Sequence, residues 1–140
     1  VIIVERHVKA PPERLWEFVG DVSRWDELLP TVSSAVTKTG PAETGTGSRF
    51  ALKQPGIPKM VYEVTEWVPG ERFTWVAAFP GVRTVATHTI AATTDGCVLK
   101  LGLAWEGPIS GVVTRLFKRR TDRYVQLEAD TFANLAQQPT

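Results

Sequence analysis

The sequence predicts an α+β fold: a curved antiparallel sheet of about seven strands wrapped around one long C-terminal helix, with two short helices between strands one and two. Three observations predict it. Residues 108–135 carry apolar side chains at helical spacing with polar residues between them. Residues 31–105 change to a period of two, punctuated by the turn pairs Pro69-Gly70, Pro80-Gly81 and Asp95-Gly96. Ahead of that meander, residues 11–30 hold two proline-bounded helical segments. A single helical stripe has to cover many inward-facing strand residues at once, which places the long helix in the concave face of the sheet.

In chain order, residues 1–8 are β-branched and end at Ala10-Pro11-Pro12, so they read as a strand with Ile2, Val4 and Val8 on one face. Pro11 and Pro12 then open a helix where missing amide donors cost nothing, and Leu15, Phe18 and Val19 supply its apolar face up to Gly20. Asp21 is a candidate cap for a second short helix at 22–29, closed by Pro30. Strands follow at 32–38, 49–54, 60–68, 71–79, 82–93 and 98–106, with a polar loop at 40–47 and a second loop at 54–58. Pro69-Gly70 suits the middle of a type II turn, and Asp95-Gly96 is a strong hairpin pair. Gly107-Pro108 breaks the sheet and launches the last helix.

On a helical wheel, Ile109, Val113, Leu116, Phe117, Tyr124, Leu127 and Leu135 gather on one side of that helix, opposite Arg115, Lys118, Arg119, Asp122 and Asp130. Arg120 falls within the apolar stripe. A guanidinium there needs an anion or water against its desolvation; it either meets a ligand, sends its head group out to solvent, or joins a structural ion pair.

The 140 residues suit one domain with a real core, 1–140, and show no linker, repeat or low-complexity segment. Sixteen Lys and Arg against 15 Asp and Glu leave a formal charge of +1, which argues against a nucleic-acid partner. The basic run at 115–123 reads as a solvated helix face, with Asp122 and Glu128 for company. The single Cys97 excludes an internal disulfide and a cysteine-rich metal site, and no HExxH, CxxC or EF-hand spacing supports a metal. No cofactor is expected. There is also no GxSxG or phosphate-loop pattern. No apolar run reaches membrane-spanning length, and Glu5, Arg6 and His7 interrupt any signal-peptide core, so a cytoplasmic protein is expected. The absent initiator methionine implies a chain trimmed at its start.

Several stretches carry a family resemblance. Residues 8–16 (VKAPPERLW), 20–25 (GDVSRW) with Leu29-Pro30, 45–50 (GTGSRF), 62–67 (YEVTEW) with Pro69-Gly70, and 105–108 (WEGP) resemble the START-like, polyketide cyclase/dehydrase and lipid-transport superfamily over essentially the whole chain. The resemblance implies a helix-grip fold with an elongated cavity between the sheet and the long helix, used for lipids, polyketides and other apolar molecules. Its motifs are structural, and specify fold better than function.

Strand and helix phase then nominate the cavity wall. Phe50, Leu52, Phe73, Trp75, Phe79, Ile90, Leu99, Leu101, Leu103 and Trp105 come from the sheet, opposed by Leu116, Phe117, Tyr124 and Leu127. The same residues would also serve as ordinary core. His88 lies in inward phase beside Ala86, Ile90 and Ala92 and can exchange a proton near neutrality, or be satisfied within the core. Arg6 and Glu66 share inward phases, while Tyr62 and Tyr124 can donate phenolic hydrogen bonds. The preferred reading is binding or transport of a small hydrophobic molecule, with any carboxylate or carbonyl meeting Arg120. The alternative is a cyclase or aromatase-like enzyme in which Arg120 or a tyrosine holds an enolate oxygen and His88 acts as base; Arg120, His88 and Tyr124 are its catalytic candidates. A third class, a protein-interaction module, would use the outer residues Val125 and Phe132. Either a monomer or a homodimer is compatible.

Overall fold

The β-branched opening forms β1 (Ile2–Val8), and Ile2, Val4 and Val8 are buried as their alternation requires. Helix α1 (Pro12–Val19) follows, then a 3₁₀ turn (Val22–Arg24) running directly into α2 (Trp25–Leu28). The six remaining strands are β2 (Ser34–Thr39), β3 (Arg49–Gln54), β4 (Ile57–Val68), β5 (Arg72–Phe79), β6 (Val82–Thr93) and β7 (Gly96–Glu106), and α3 (Ser110–Gln137) ends the chain. This computed structural model describes residues 1–39 and 43–139; the start of the loop expected at 40–47 lies outside them. The seven strands form one antiparallel sheet in the order β1-β7-β6-β5-β4-β3-β2, so the short helices link its two edges and α3 lies over its inner face. This is a helix-grip α+β fold.

Two departures from strand periodicity shape the inner face. The loop expected at 54–58 is a two-residue turn, because Gln54 pairs with Ile57 and Gly56 adopts φ +76°, the conformation that a proline–glycine turn requires. Pro58 therefore lies within β4. It is tolerated because β4 pairs with β5 only from Glu63 onward, so residues 57–62 have a ladder on one side alone. The second departure is a bulge between Val64 and Glu66, which shifts the register against β5. It turns Glu66 outward to Arg72 (3.1 Å) instead of into the core and lets Trp67 pack on Trp16 (5.1 Å between ring centres).

Helix α3 is rotated by about 140°, more than a third of a turn, from its expected setting. Its buried residues are Thr121, Val125, Ala129, Phe132, Ala133 and Ala136. Leu116 is 69% exposed and Leu127 also faces outward, whereas Val125 and Phe132, expected on the outer surface, are 7% and 1% exposed. The physical reason is steric. Alanines at 129, 133 and 136 let the helix backbone approach the sheet, and Phe132 fills the remaining space against Trp25 (5.6 Å between ring centres). Arg6, at a strand position that alternation points inward, reaches α3 instead: Nε donates to Asp130 Oδ1 (2.7 Å) and Nη2 donates to Gln126 Oε1.

This setting of α3 predicts that Phe132→Ala lowers unfolding free energy by about 3–5 kcal/mol, while Leu116→Ala changes it by less than about 0.5 kcal/mol. Urea unfolding followed by tryptophan fluorescence checks both.

Candidate functional site

The buried residues of α3 begin only at Thr121, so its first turns stand clear of the sheet and leave a cavity. The opposite wall opens for a matching reason, since β4 and β5 stop pairing beyond Glu63 and Val76 although both strands continue. Two adjoining hollows result, sharing Gln54, Tyr62, Leu103 and Thr121. The outer one, about 190 Å³, is walled by Met60, Phe79, Val82, Trp105, Val113 and Phe117. The inner one, about 50 Å³, reaches His88, Glu128, Tyr124, Trp25 and Trp75. Its floor is aromatic: Trp25 packs on Trp75 (5.2 Å), and the His88 ring stacks on Phe73 (3.9 Å, interplanar angle 8°).

The inner hollow holds the polar chemistry. His88, on β6, is 7% exposed and donates from Nδ1 to the Phe73 carbonyl (3.1 Å); this fixes the tautomer and leaves the Nε2 lone pair available. Burial lowers its pKa to about 4, so the ring is neutral near pH 7. Glu128, on α3, accepts from Thr31 Oγ1 (2.8 Å) and Gln54 Nε2 (2.9 Å), both at Oε2. Burial raises its carboxyl to about 7, and those two hydrogen bonds only partly oppose the rise. Tyr62 is buried beside it, stacked on Trp75 (4.8 Å), and its phenol is pushed above the ordinary range by burial and by the Glu128 charge. Its hydroxyl donates to Met60 Sδ (3.7 Å), a weak acceptor.

The candidate residues from the sequence divide three ways. His88, Tyr62, Tyr124 and Trp75 meet at the inner hollow, and Tyr62, Phe79, Trp105 and Phe117 at the outer one. Phe50 is buried behind Trp75 (6.0 Å) and lines neither. Leu116 and Arg120 also line neither. The Arg120 guanidinium is exposed and donates from Nη1 to the Gly56 carbonyl (2.7 Å), while Tyr124 donates its hydroxyl to the Pro55 carbonyl (2.6 Å). Together they tie the β3–β4 turn to α3.

Sequence reasoning missed Glu128, assigned to the outer face, and the cavity-lining Gln54, Thr121 and Val82. The signal for Glu128 was its spacing with Thr121, Val125 and Phe132, which a wheel centred on the small residues of α3 would have caught. Among the described residues no group of His, Cys, Asp and Glu could hold a metal ion, and no helix is long and apolar enough to cross a membrane.

A family model described as "Polyketide cyclase / dehydrase and lipid transport" matches residues 2–137. No curated protein matches the sequence. Among solved structures, the di-domain ARO/CYC StfQ from the steffimycin biosynthetic pathway superposes with TM-score 0.79 at 11% identity; the match takes in 97% of this chain and 50% of StfQ, so the chain spans half of that protein. TTHA0849 from Thermus thermophilus gives TM-score 0.76 at 19% identity, with 96% of this chain and 95% of that one covered. The hypothetical protein jhp0584 from Helicobacter pylori gives 0.80 at 11% identity, covering 97% and 87%. At such identities the likeness shows the fold alone.

The two inner titratable groups act on stability with opposite signs. The folded chain keeps the Glu128 proton up to about pH 7, so its stabilising contribution is complete below the ordinary value near 4.5 and is lost as the pH rises through 7. His88 titrates near 4 when folded, so its contribution is present above 6.5 and is lost as the pH falls through 4. Between about pH 4.5 and 6.5 the slopes offset one another. Urea titrations across that range are expected to show Glu128→Gln gaining about 2 kcal/mol with rising pH and His88→Gln losing about 2 kcal/mol.

Proposed function

Because the chain belongs to the polyketide cyclase/dehydrase and lipid transport family, we propose that it binds and carries a small hydrophobic molecule in the cavity between its sheet and α3. The observation that carries this reading is the pairing of an apolar outer hollow with a smaller polar inner one. An apolar site with a few convergent polar groups is the usual build of a small-molecule pocket. A dry cavity of about 150 Å³ accepts benzene, so the outer hollow of about 190 Å³ takes one ring, and further rings of the same ligand extend into the adjoining inner hollow or the open mouth. Such a ligand would pack on Phe117, Trp105 and Phe79 and extend its polar end past Tyr62 and Thr121. The turn held by Arg120 and Tyr124 would cover one side of it.

A second reading, an aromatase or cyclase-like reaction, is supported by Glu128. A carboxyl with a pKa of about 7 inside a cavity is suited to proton exchange at physiological pH, and the neutral His88 supplies a second acceptor. In this reading Glu128 would remove a proton from carbon next to a ligand carbonyl, and Tyr62 would donate to the developing oxyanion. The base differs from the one expected from sequence, since the His88 ring titrates well below neutrality.

Mass spectrometry of molecules released on denaturing the purified protein is expected to show a small apolar compound. Val113→Trp, which places an indole in the outer hollow, is expected to weaken binding of N-phenyl-1-naphthylamine at least about tenfold by fluorescence titration. Unchanged binding would remove the outer hollow from the reading. Conversion of a supplied poly-β-ketone by the wild-type protein and its loss in Glu128→Gln would favour the enzyme over the carrier.

A further inference from the structure

We propose that the inner end of the cavity selects ligands ending in a neutral hydroxyl and rejects those ending in a carboxylate. This rests on the ligand-binding reading above and specifies the class of molecule bound. The first observation concerns charge. Among the described residues neither hollow has a Lys or Arg in its lining, and the cation expected there, Arg120, is spent on the Gly56 carbonyl outside. Among the described residues of the inner lining, the only formal charge near neutrality is the carboxylate of Glu128. A ligand carboxylate would therefore lose its hydration, meet a like charge, and find no cation to offset either cost.

The second observation concerns hydrogen-bond direction. Both hydrogen bonds that Glu128 receives fall on Oε2, and Oε1 has no partner among the described residues. The Nδ1 proton of His88 is committed to the Phe73 carbonyl, so Nε2 is an acceptor. Two acceptors thus lack donors at the inner end. Beside them, the Tyr62 hydroxyl is turned only to the Met60 sulfur, and Thr121 brings a second rotatable hydroxyl to the boundary of the two hollows. A ligand hydroxyl can donate to Glu128 or His88 and accept from Tyr62 or Thr121. An ammonium group could only donate, and a carbonyl could only accept. The hydroxyl is the group that satisfies both directions, and a site that expects a donor penalises a ligand without one by leaving its own polar atoms unpaired.

Displacement of N-phenyl-1-naphthylamine by naphthalene, 2-naphthol and 2-naphthoate at about pH 7.5 tests this with three molecules of one ring system. The expected order is 2-naphthol at least about tenfold tighter than 2-naphthoate and severalfold tighter than naphthalene. In Glu128→Gln, checked for folding by circular dichroism, the gap between naphthol and naphthoate is expected to narrow at least about fivefold, because the repelling charge is gone. Naphthoate binding as tightly as naphthol to the wild-type protein would overturn the inference, and so would naphthol binding no better than naphthalene. In both cases the cavity itself would still stand as a binding site. Failure of all three compounds and of the probe would instead overturn the ligand-binding reading along with it. The comparison on the wild-type protein decides the matter even if the variant does not fold.

Discussion

Everything in this molecule depends on how closely the second half of α3 approaches the sheet. Ala129, Ala133 and Ala136 keep the helix backbone near the strands, and Phe132 fills what remains against Trp25. Trp25 in turn touches Phe73, Trp75 and His88, so one aromatic cluster joins α2, β5, β6 and α3. Outside the core, Arg6 ties β1 to the same part of the helix through Asp130 and Gln126. Packed interiors have little compliance, so a helix seated tightly at one end has its height over the rest of the sheet decided for it. The first turns of α3 then overhang β4, β5 and β7 without filling the space below them, and that unfilled space is the cavity.

The same seating explains the polarity of the inner end. Glu128 lies on the face of α3 that carries Thr121, Val125 and Phe132, so docking this face takes the carboxylate inward with it. Thr31 and Gln54 satisfy one of its oxygens, which makes the burial tolerable without a counter-cation. His88 is handled differently. Its ring is used as an aromatic plate on Phe73, and its one donated proton goes to a backbone carbonyl. Near neutrality one group is uncharged and the other is close to its titration point. The chemistry of the hollow thus comes from desolvation, with ion pairing kept to the surface, where Arg72 meets Glu66 and Arg83 meets Glu106. Arg120 follows that pattern by serving a loop carbonyl.

Much of the fold was legible from local signals, because strand alternation and turn chemistry act within a few residues. The first strand, the proline-started helix, the six-strand meander and the terminal helix all stand near the positions read from the sequence. The misreadings have specific causes. The bulge at Val64 and Glu66 inserts one residue, and a single insertion reverses the phase of everything after it, which is why Glu66 went outward and Trp67 inward. A helical wheel weights the large apolar residues of α3 most heavily. Leu116 and Leu127 drew it away from the true seam, which is made of small residues that hydrophobicity weights poorly. That one rotation misplaced Arg120 and concealed Glu128.

The amino-acid order by itself determined the inventory of elements, the antiparallel meander, the fold family and the presence of His88 and Tyr62 on inward strand faces, since each follows from period, breakers and motif. Only the tertiary structure decided which side of α3 is inside, where β4 and β5 separate, and which charged group faces the cavity. Those outcomes come from the fit of one helix against a bulged sheet. They depend on volumes and register summed over several elements, and no window of sequence contains that sum.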